Sequence, residues 1–197
     1  TTFDILLMGS LGRGDVTLTA DQDHAIIYDD VPESDEIEVR KYFLAMGRRL
    51  SDLLAAAGFP YCQGKIMSGE SEFCRSFSGW CTGFDGWITT LEPQDILRTK
   101  IFFDFRSALG EPKLVPALQD HLKQTLAKHP RFFPMLAQSV LHYAPPLNVF
   151  GSIIVQQGEG PRRGFDVKGV IAQIVDIVRL KALQNGVTKV GTEDRLK

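Results

Sequence analysis

The sequence predicts an α/β (α+β) protein, a small sheet flanked by helices and then a mainly helical part. Three observations carry this reading. An apolar run from Phe3 to Met8 is followed by a glycine-rich turn and a second apolar run ending at Tyr28. A long stretch with the helical period comes next, giving a strand–loop–strand–helix opening. Beyond Gly110 the pattern turns almost wholly helical.

The first run is short and continuous, as expected of a buried strand. In the following segment, Met8-Gly9-Ser10-Leu11-Gly12-Arg13-Gly14-Asp15, the glycines free the backbone to turn tightly and bring its N–H groups close to a ligand. Asp21 and Asp23 head the second run, and the period of two along a strand points both carboxylates to the same side. In outline these are a phosphate cradle and a metal site.

From Ser34 to Ala57, Val39, Phe43, Met46, Leu50, Leu53 and Ala57 recur at alternating steps of four and three, predicting a helix with one buried stripe. Gly58 and Phe59-Pro60 supply its stop. Glycines and serines interrupt any period over residues 61–84, so this stretch reads as a long loop region around a short strand at Lys65-Ile66-Met67. It either borders the site or is a surface excursion pinned by Trp80 and Trp87.

A helical fragment around Pro93–Leu97 leads to a predicted strand at Lys100–Arg106. Alternation places Ile101, Phe103 and Phe105 on one face, and Phe102, Asp104 and Arg106 on the other. A carboxylate in so apolar a strand needs a partner, either an arginine such as Arg106 or a metal. Leu114, Leu118, Leu122 and Leu126 trace one helix, with Pro116 in its first turn; Arg131 to Tyr143 is a second, with Pro134 similarly placed. Pro145-Pro146 ends it. Leu147–Gln156 and Phe165–Val167 flank a glycine-rich turn and predict a hairpin. Lys168–Asn185 is apolar almost all round and reads as a buried central helix ending near Gly186. Thr192-Glu193 reads as the N-cap and first turn of another.

Glycine-serine after a strand, then about ten residues, then Asp-x-Asp opening the next strand resembles the signature of the polymerase β-type nucleotidyltransferase superfamily. The local form, GSLGRGD followed by DQDHAIIY, is similar to the branch of signal-transduction nucleotidyltransferases that accompany CBS or cyclic-nucleotide-binding domains, relatives of the uridylyltransferase that modifies the PII protein. The similarity extends through Ala57-Gly58-Phe59-Pro60, Phe102-Phe103-Asp104-Phe105-Arg106 and Phe165-Asp166-Val167-Lys168, nearly the whole chain. GSLGRGD lacks the lysine and Ser/Thr of a P-loop, and its glycine spacing differs from that of the dinucleotide-binding fingerprint.

The resemblance implies a nucleotidyltransferase domain over residues 1–110 with a small mixed sheet, and a helical substrate-binding domain over residues 111–197. Relatives continue with further helix, so the chain reads as truncated at both ends. The implied reaction moves a nucleoside monophosphate from a nucleoside triphosphate to a protein or small-molecule acceptor, in signalling or regulation. Asp21, Asp23 and Asp104 would hold Mg²⁺ or Mn²⁺ and serve catalysis; Gly9, Ser10, Arg13 and Lys168 would bind the nucleotide. Each residue also has a plain structural reading: Gly9-Ser10 as a turn, Arg13 paired with Asp15, Asp21 in an Asx-turn, Lys168 offset by Asp166. Gln22 and His24 depart from the apolar residues usual beside the carboxylates, and His24 reads as a hydrogen-bonded structural residue. The alternative function is a catalytically silent nucleotide-binding module regulating attached domains.

Composition bounds the partners. A formal charge of -2 and a pI near 6.1 give no general attraction to nucleic acid, so no long polynucleotide partner is expected. No apolar run approaches the roughly 20 residues needed to span a bilayer, and the N-terminus has no signal-peptide pattern, so no membrane association is expected. Cys62, Cys74 and Cys81 form no compact ligand pair and read as free thiols of a cytoplasmic protein, zinc being disfavoured.

Overall fold

The computed structural model describes residues 1–16, 20–90, 100–110, 113–141, 156–157, 163–164 and 167–197. The fragment expected around Pro93–Leu97 lies outside them, as do Asp166, most of the predicted hairpin strands, and the last two residues of the helix expected to end at Tyr143.

The elements in chain order are β1 (Phe3–Met8), α1 (Gly9–Arg13), β2 (His24–Tyr28), α2 (Glu33–Ala56), β3 (Cys74–Ser76), α3 (Phe77–Thr90) and β4 (Phe105–Gly110). Then come α4 (Leu114–Lys128), α5 (Phe132–Leu141), β5 (Gln156–Gln157), β6 (Arg163–Gly164), α6 (Val167–Gln184) and α7 (Thr192–Arg195). The main sheet is mixed, in the order β3-β2-β1-β4, with β1 antiparallel to β2 and β4, and β2 parallel to β3. β5 and β6 pair as a small antiparallel hairpin.

Alternation along the central strands assigns the two faces. Ile26 and Tyr28 of β2, with Phe3 and Ile5 of β1, pack under Phe43, Val39 and Met46 of α2. Leu6, Met8, Ala25 and Ile27 face the larger core, built from Trp80, Phe84, Trp87 and Ile88 of α3, Phe102, Phe103 and Phe105, and the leucine face of α4. Burying each such side chain contributes about 1.5–3 kcal/mol. Trp80 also donates its indole N–H to the Ile26 carbonyl at 2.9 Å, satisfying the one polar atom it takes into the core. No described helix is long and apolar enough to cross a membrane.

Several expectations need correction. Residues 77–90 are helical, because Trp80, Phe84, Trp87 and Ile88 fall on one helical face and core burial outweighs the cost of Gly79, Gly83 and Gly86. Lys65-Ile66-Met67 is irregular, with a bend at Met67; the strand of that region is β3. Lys100–Phe102 is helical and the strand begins only at Phe105, so Phe102, Phe103, Asp104 and Phe105 are all buried instead of alternating. The buried stripe of α2 runs through Phe43, Gly47 and Ser51 while Leu53 is exposed, since a Cβ on Gly47 would lie 2.3 Å from the Ser68 carbonyl oxygen. α6 is not buried all round: Ile171, Ile174 and Ile177 are half exposed, and Val175, Arg179 and Ala182 face inward. Gly191 is the N-cap of α7, the Thr192 hydroxyl bonding Asp15 instead.

Candidate active site

The site forms where β1 ends. Met8 donates its N–H to the Asp23 carbonyl at 2.9 Å, holding the end of β1 against the entry to β2. The chain then turns into α1 through Gly9 at a φ of 56°, left-handed backbone that suits glycine. A Cβ there would sit 3.4 Å from Asp23 Oδ2, so the glycine leaves the carboxylate room.

Asp21 and Asp23 converge with Cys62. One ligand atom from each, two carboxylate oxygens and the sulfur, all lie within 4.8 Å of one another. Both acids are half-buried and Cys62 is buried. Oxygens of two close carboxylates repel one another unless a cation lies between them, so the donor set fits a divalent ion.

Gln22 and His24, on the opposite strand face, set the position of this pair. The Gln22 side-chain amide donates to the Ser51 and Phe59 carbonyls, at 3.0 and 2.8 Å. Its oxygen lies 3.2 Å from His24 Nε2, and His24 Nδ1 accepts the Ser68 N–H at 3.3 Å. This ring is neutral with its proton on Nε2, and burial lowers its pKa to about 4. The polar residues flanking Asp23 thus brace the strand against the C-terminal part of α2 and the 59–68 segment.

Asp104 has a different environment from the other two acids. It is fully buried at the turn before β4 and faces three guanidinium groups. Arg13 Nη1 reaches its Oδ2 at 2.8 Å, Arg179 Nε and Nη2 reach the same oxygen at 2.9 and 2.5 Å, and Arg195 Nη1 meets Oδ1 at 2.6 Å. Burial alone would raise its pKa, but the charges of Arg179, Arg195 and Arg13, with the hydrogen bonds from Arg179, outweigh burial and hold the carboxyl below the ordinary range. Asp104 does not join the Asp21–Asp23–Cys62 group among the described residues. Its partner is this trio and not Arg106, whose Nε donates to the Leu11 carbonyl. Gly12 permits the arrangement, since a Cβ there would lie 2.1 Å from the Asp104 carbonyl oxygen.

Arg13 also pairs with Asp15 at 2.9 Å, so both of its observed partners are acids of the protein. Lys168 lies in the first turn of α6, and its side chain is outside the described residues. Cys62, Arg179 and Arg195 have no counterpart in the sequence reading of the site. None carries a local spacing signal, since each reaches its partners from a distant part of the chain.

A glycine turn after a central strand, with paired carboxylates just ahead of the next, is the arrangement that the sequence resemblance to nucleotidyltransferases implies. Residues 1–94 match the family model described as putative nucleotidyltransferase DUF294, and residues 130–197 match that of the putative nucleotidyltransferase substrate binding domain. Two separate segments of the chain are thus similar to models of a putative nucleotidyltransferase and of its substrate-binding domain, consistent with a putative nucleotidyltransferase. Neither the curated proteins nor the solved structures contain a match to it.

Proposed function

We propose that the chain transfers a nucleoside monophosphate from a nucleoside triphosphate to a protein or small-molecule acceptor, as a cytoplasmic regulatory enzyme working beside CBS or cyclic-nucleotide-binding domains. The observation that carries this reading is the convergence of Asp21 and Asp23 beside the Gly9-Ser10 turn. Those two acids would hold Mg²⁺ or Mn²⁺, which when bound neutralises triphosphate charge and favours departure of pyrophosphate. Gly9 and Ser10 offer backbone N–H groups and a hydroxyl to the phosphates, and Lys168 a cation from the helical part.

The remaining assignments require a change of partners. Arg13 would clamp phosphate by giving up Asp15 or Asp104. Asp104 would join the metal and take the acceptor proton only after release from its arginines, because a carboxylate held so strongly ionised is a weak base. That observation favours a second reading, a module that binds nucleotide without turnover and regulates attached domains.

Incubation with each labelled nucleoside triphosphate and Mg²⁺, scored for pyrophosphate release and for binding, separates the two. The enzyme reading expects release that Asp21→Asn abolishes; saturable binding without release supports the silent module. Calorimetry gives an independent check, because Mg²⁺ affinity unchanged in Asp21→Asn removes the metal assignment.

A further inference from the structure

We propose that α7 and the irregular run leading to it form a detachable latch: Arg195 covers the one oxygen of Asp104 that the other two arginines leave, and a divalent cation held by Asp21 and Asp23 gains that oxygen only when the latch lifts. This rests on the reading of the acid pair as a metal site with Asp104 as its further ligand, and adds to it the regulation of that site.

The three guanidinium groups do not share Asp104 evenly. Arg13, at 2.8 Å, and Arg179, at 2.9 and 2.5 Å, all bind Oδ2, while among the described residues Arg195 alone meets Oδ1, at 2.6 Å. Two of the three are fixed by their own elements. Arg13 belongs to α1, which continues directly from β1, and Arg179 sits inside α6, where it also binds Asp176, itself paired with Lys100 at 2.7 Å. Arg195 comes instead from a four-residue helix that buries none of its residues, although the arginine side chain itself is 2% exposed. The Thr192 hydroxyl ties the same helix to Asp15 at 2.8 Å, in an exposed position. The bond from Arg195 Nε to the Lys189 carbonyl, at 2.7 Å, is internal to the segment and travels with it.

The chain around α7 is suited to moving as a unit. Gly186, at a φ of 65°, lies just past α6 in left-handed backbone and Gly191 caps α7, so residues 187–190 form an irregular run between two glycines. Element ends of this kind absorb the backbone rotation of a hinge. A cavity of about 30 Å³ beside this run, lined by Phe103, Phe105, Leu122, Leu126, Val187 and Val190, is large enough for a water, so the run is packed less tightly than the core next to it. Lifting the latch leaves Asp104 neutralised, because Arg13 and Arg179 stay on Oδ2, and it returns the Arg195 guanidinium to water. Neither charge is then buried and alone, the condition that makes a broken ion pair costly. A guanidinium and a divalent cation on one carboxylate oxygen repel each other, so they compete for Oδ1. Linkage makes that competition reciprocal: the factor by which the latch weakens cation binding is the factor by which the cation loosens the latch.

Mn²⁺ titrated into the full chain, with the free ion read by electron paramagnetic resonance, tests this in the wild type, in Arg195→Gln and in Arg195→Gln combined with Asp104→Asn. Arg195→Gln is expected to tighten Mn²⁺ binding at least about tenfold, since a competent state populated at about 10% or less lowers apparent affinity by that fraction. Adding Asp104→Asn is expected to erase the gain. Equal affinity in the wild type and Arg195→Gln, or a gain that persists with Asp104→Asn, overturns the latch and leaves the acid pair standing. Absence of Mn²⁺ binding in both, or an affinity that Asp21→Asn leaves unchanged, overturns the acid pair and the latch with it. A measurement on the wild type guards against a misfolded variant. By reciprocity, saturating Mn²⁺ should speed amide exchange at Arg195 and Leu196, whose N–H groups bond within the segment to the Gly191 and Glu193 carbonyls, while Val175 to Ala182 of α6 keep their rates. Exchange at those two amides that is unchanged or slower also overturns the latch.

Discussion

Replacing Asp104 by Asn removes one negative charge from the centre of three buried guanidinium groups at almost unchanged volume. Taking one partner from a buried ion pair costs about 3–5 kcal/mol, because the charge left behind is neither paired nor hydrated. Here the loss is shared, since Arg13 keeps Asp15, Arg179 keeps Asp176 and Arg195 keeps the Lys189 carbonyl. The three nevertheless remain packed together, and an amide nitrogen replaces one acceptor oxygen. A loss of about 4 kcal/mol is expected, which for a chain of this size lowers the melting temperature by roughly 8–16 °C. Urea unfolding followed by circular dichroism at pH 7 measures it.

The same network sets a pH dependence. The folded pKa of Asp104 lies below its unfolded value of about 3.9, so its contribution is fully present above that value and is lost as pH falls through the folded pKa. The gap between wild type and Asp104→Asn should therefore close in strong acid. A gap below about 1 kcal/mol at pH 7, on the scale of an exposed pair, would refute the view that this carboxylate organises the three arginines.

For His24 the opposite protonation state matters: its pKa of about 4 in the folded chain against about 6.5 unfolded means that stability falls as pH drops between those values. By linkage the loss reaches about 3 kcal/mol near pH 4, and His24→Gln should flatten that slope in urea titrations. Gly12→Ala places a Cβ against the Asp104 and Leu7 carbonyl oxygens, at 2.1 and 2.9 Å, and should lower the unfolding free energy measured in urea by about 1–3 kcal/mol. Lys168→Ala should weaken triphosphate binding more than nucleoside binding, with a difference that shrinks as salt is added; equal losses in calorimetry would remove its phosphate role.

The legible parts of the fold were those with an uninterrupted local period. β1, the length of α2, the leucine face of α4 and the close approach of Asp21 to Asp23 follow from spacing alone. α3 was hidden because its three glycines and Ser78 signal a loop, and only the shape of the core shows why Trp80 and Trp87 override them. The β4 boundary was missed for a related reason: Phe102, Phe103 and Phe105 are buried together, so no alternation marks where helix gives way to strand. Asp104 was recognisable as an acid needing a partner, but its partners lie up to 91 residues away, and nothing local to Arg179 or Arg195 announces them. Cys62 was read by its spacing to other cysteines, whereas its neighbours in the structure are two aspartates.

The pairing of β1 with β4 has a consequence for synthesis. β1 is an interior strand, yet the partner on one side, in the register Asp4↔Gly110, emerges from the ribosome about a hundred residues later. At synthesis rates of about 5–20 residues per second, the first strand waits several seconds with one edge open while the β1–β2 pair and α2 already exist. During that interval the nascent chain presents an open strand edge that other strands can join, an exposure that slower elongation lengthens and faster elongation shortens.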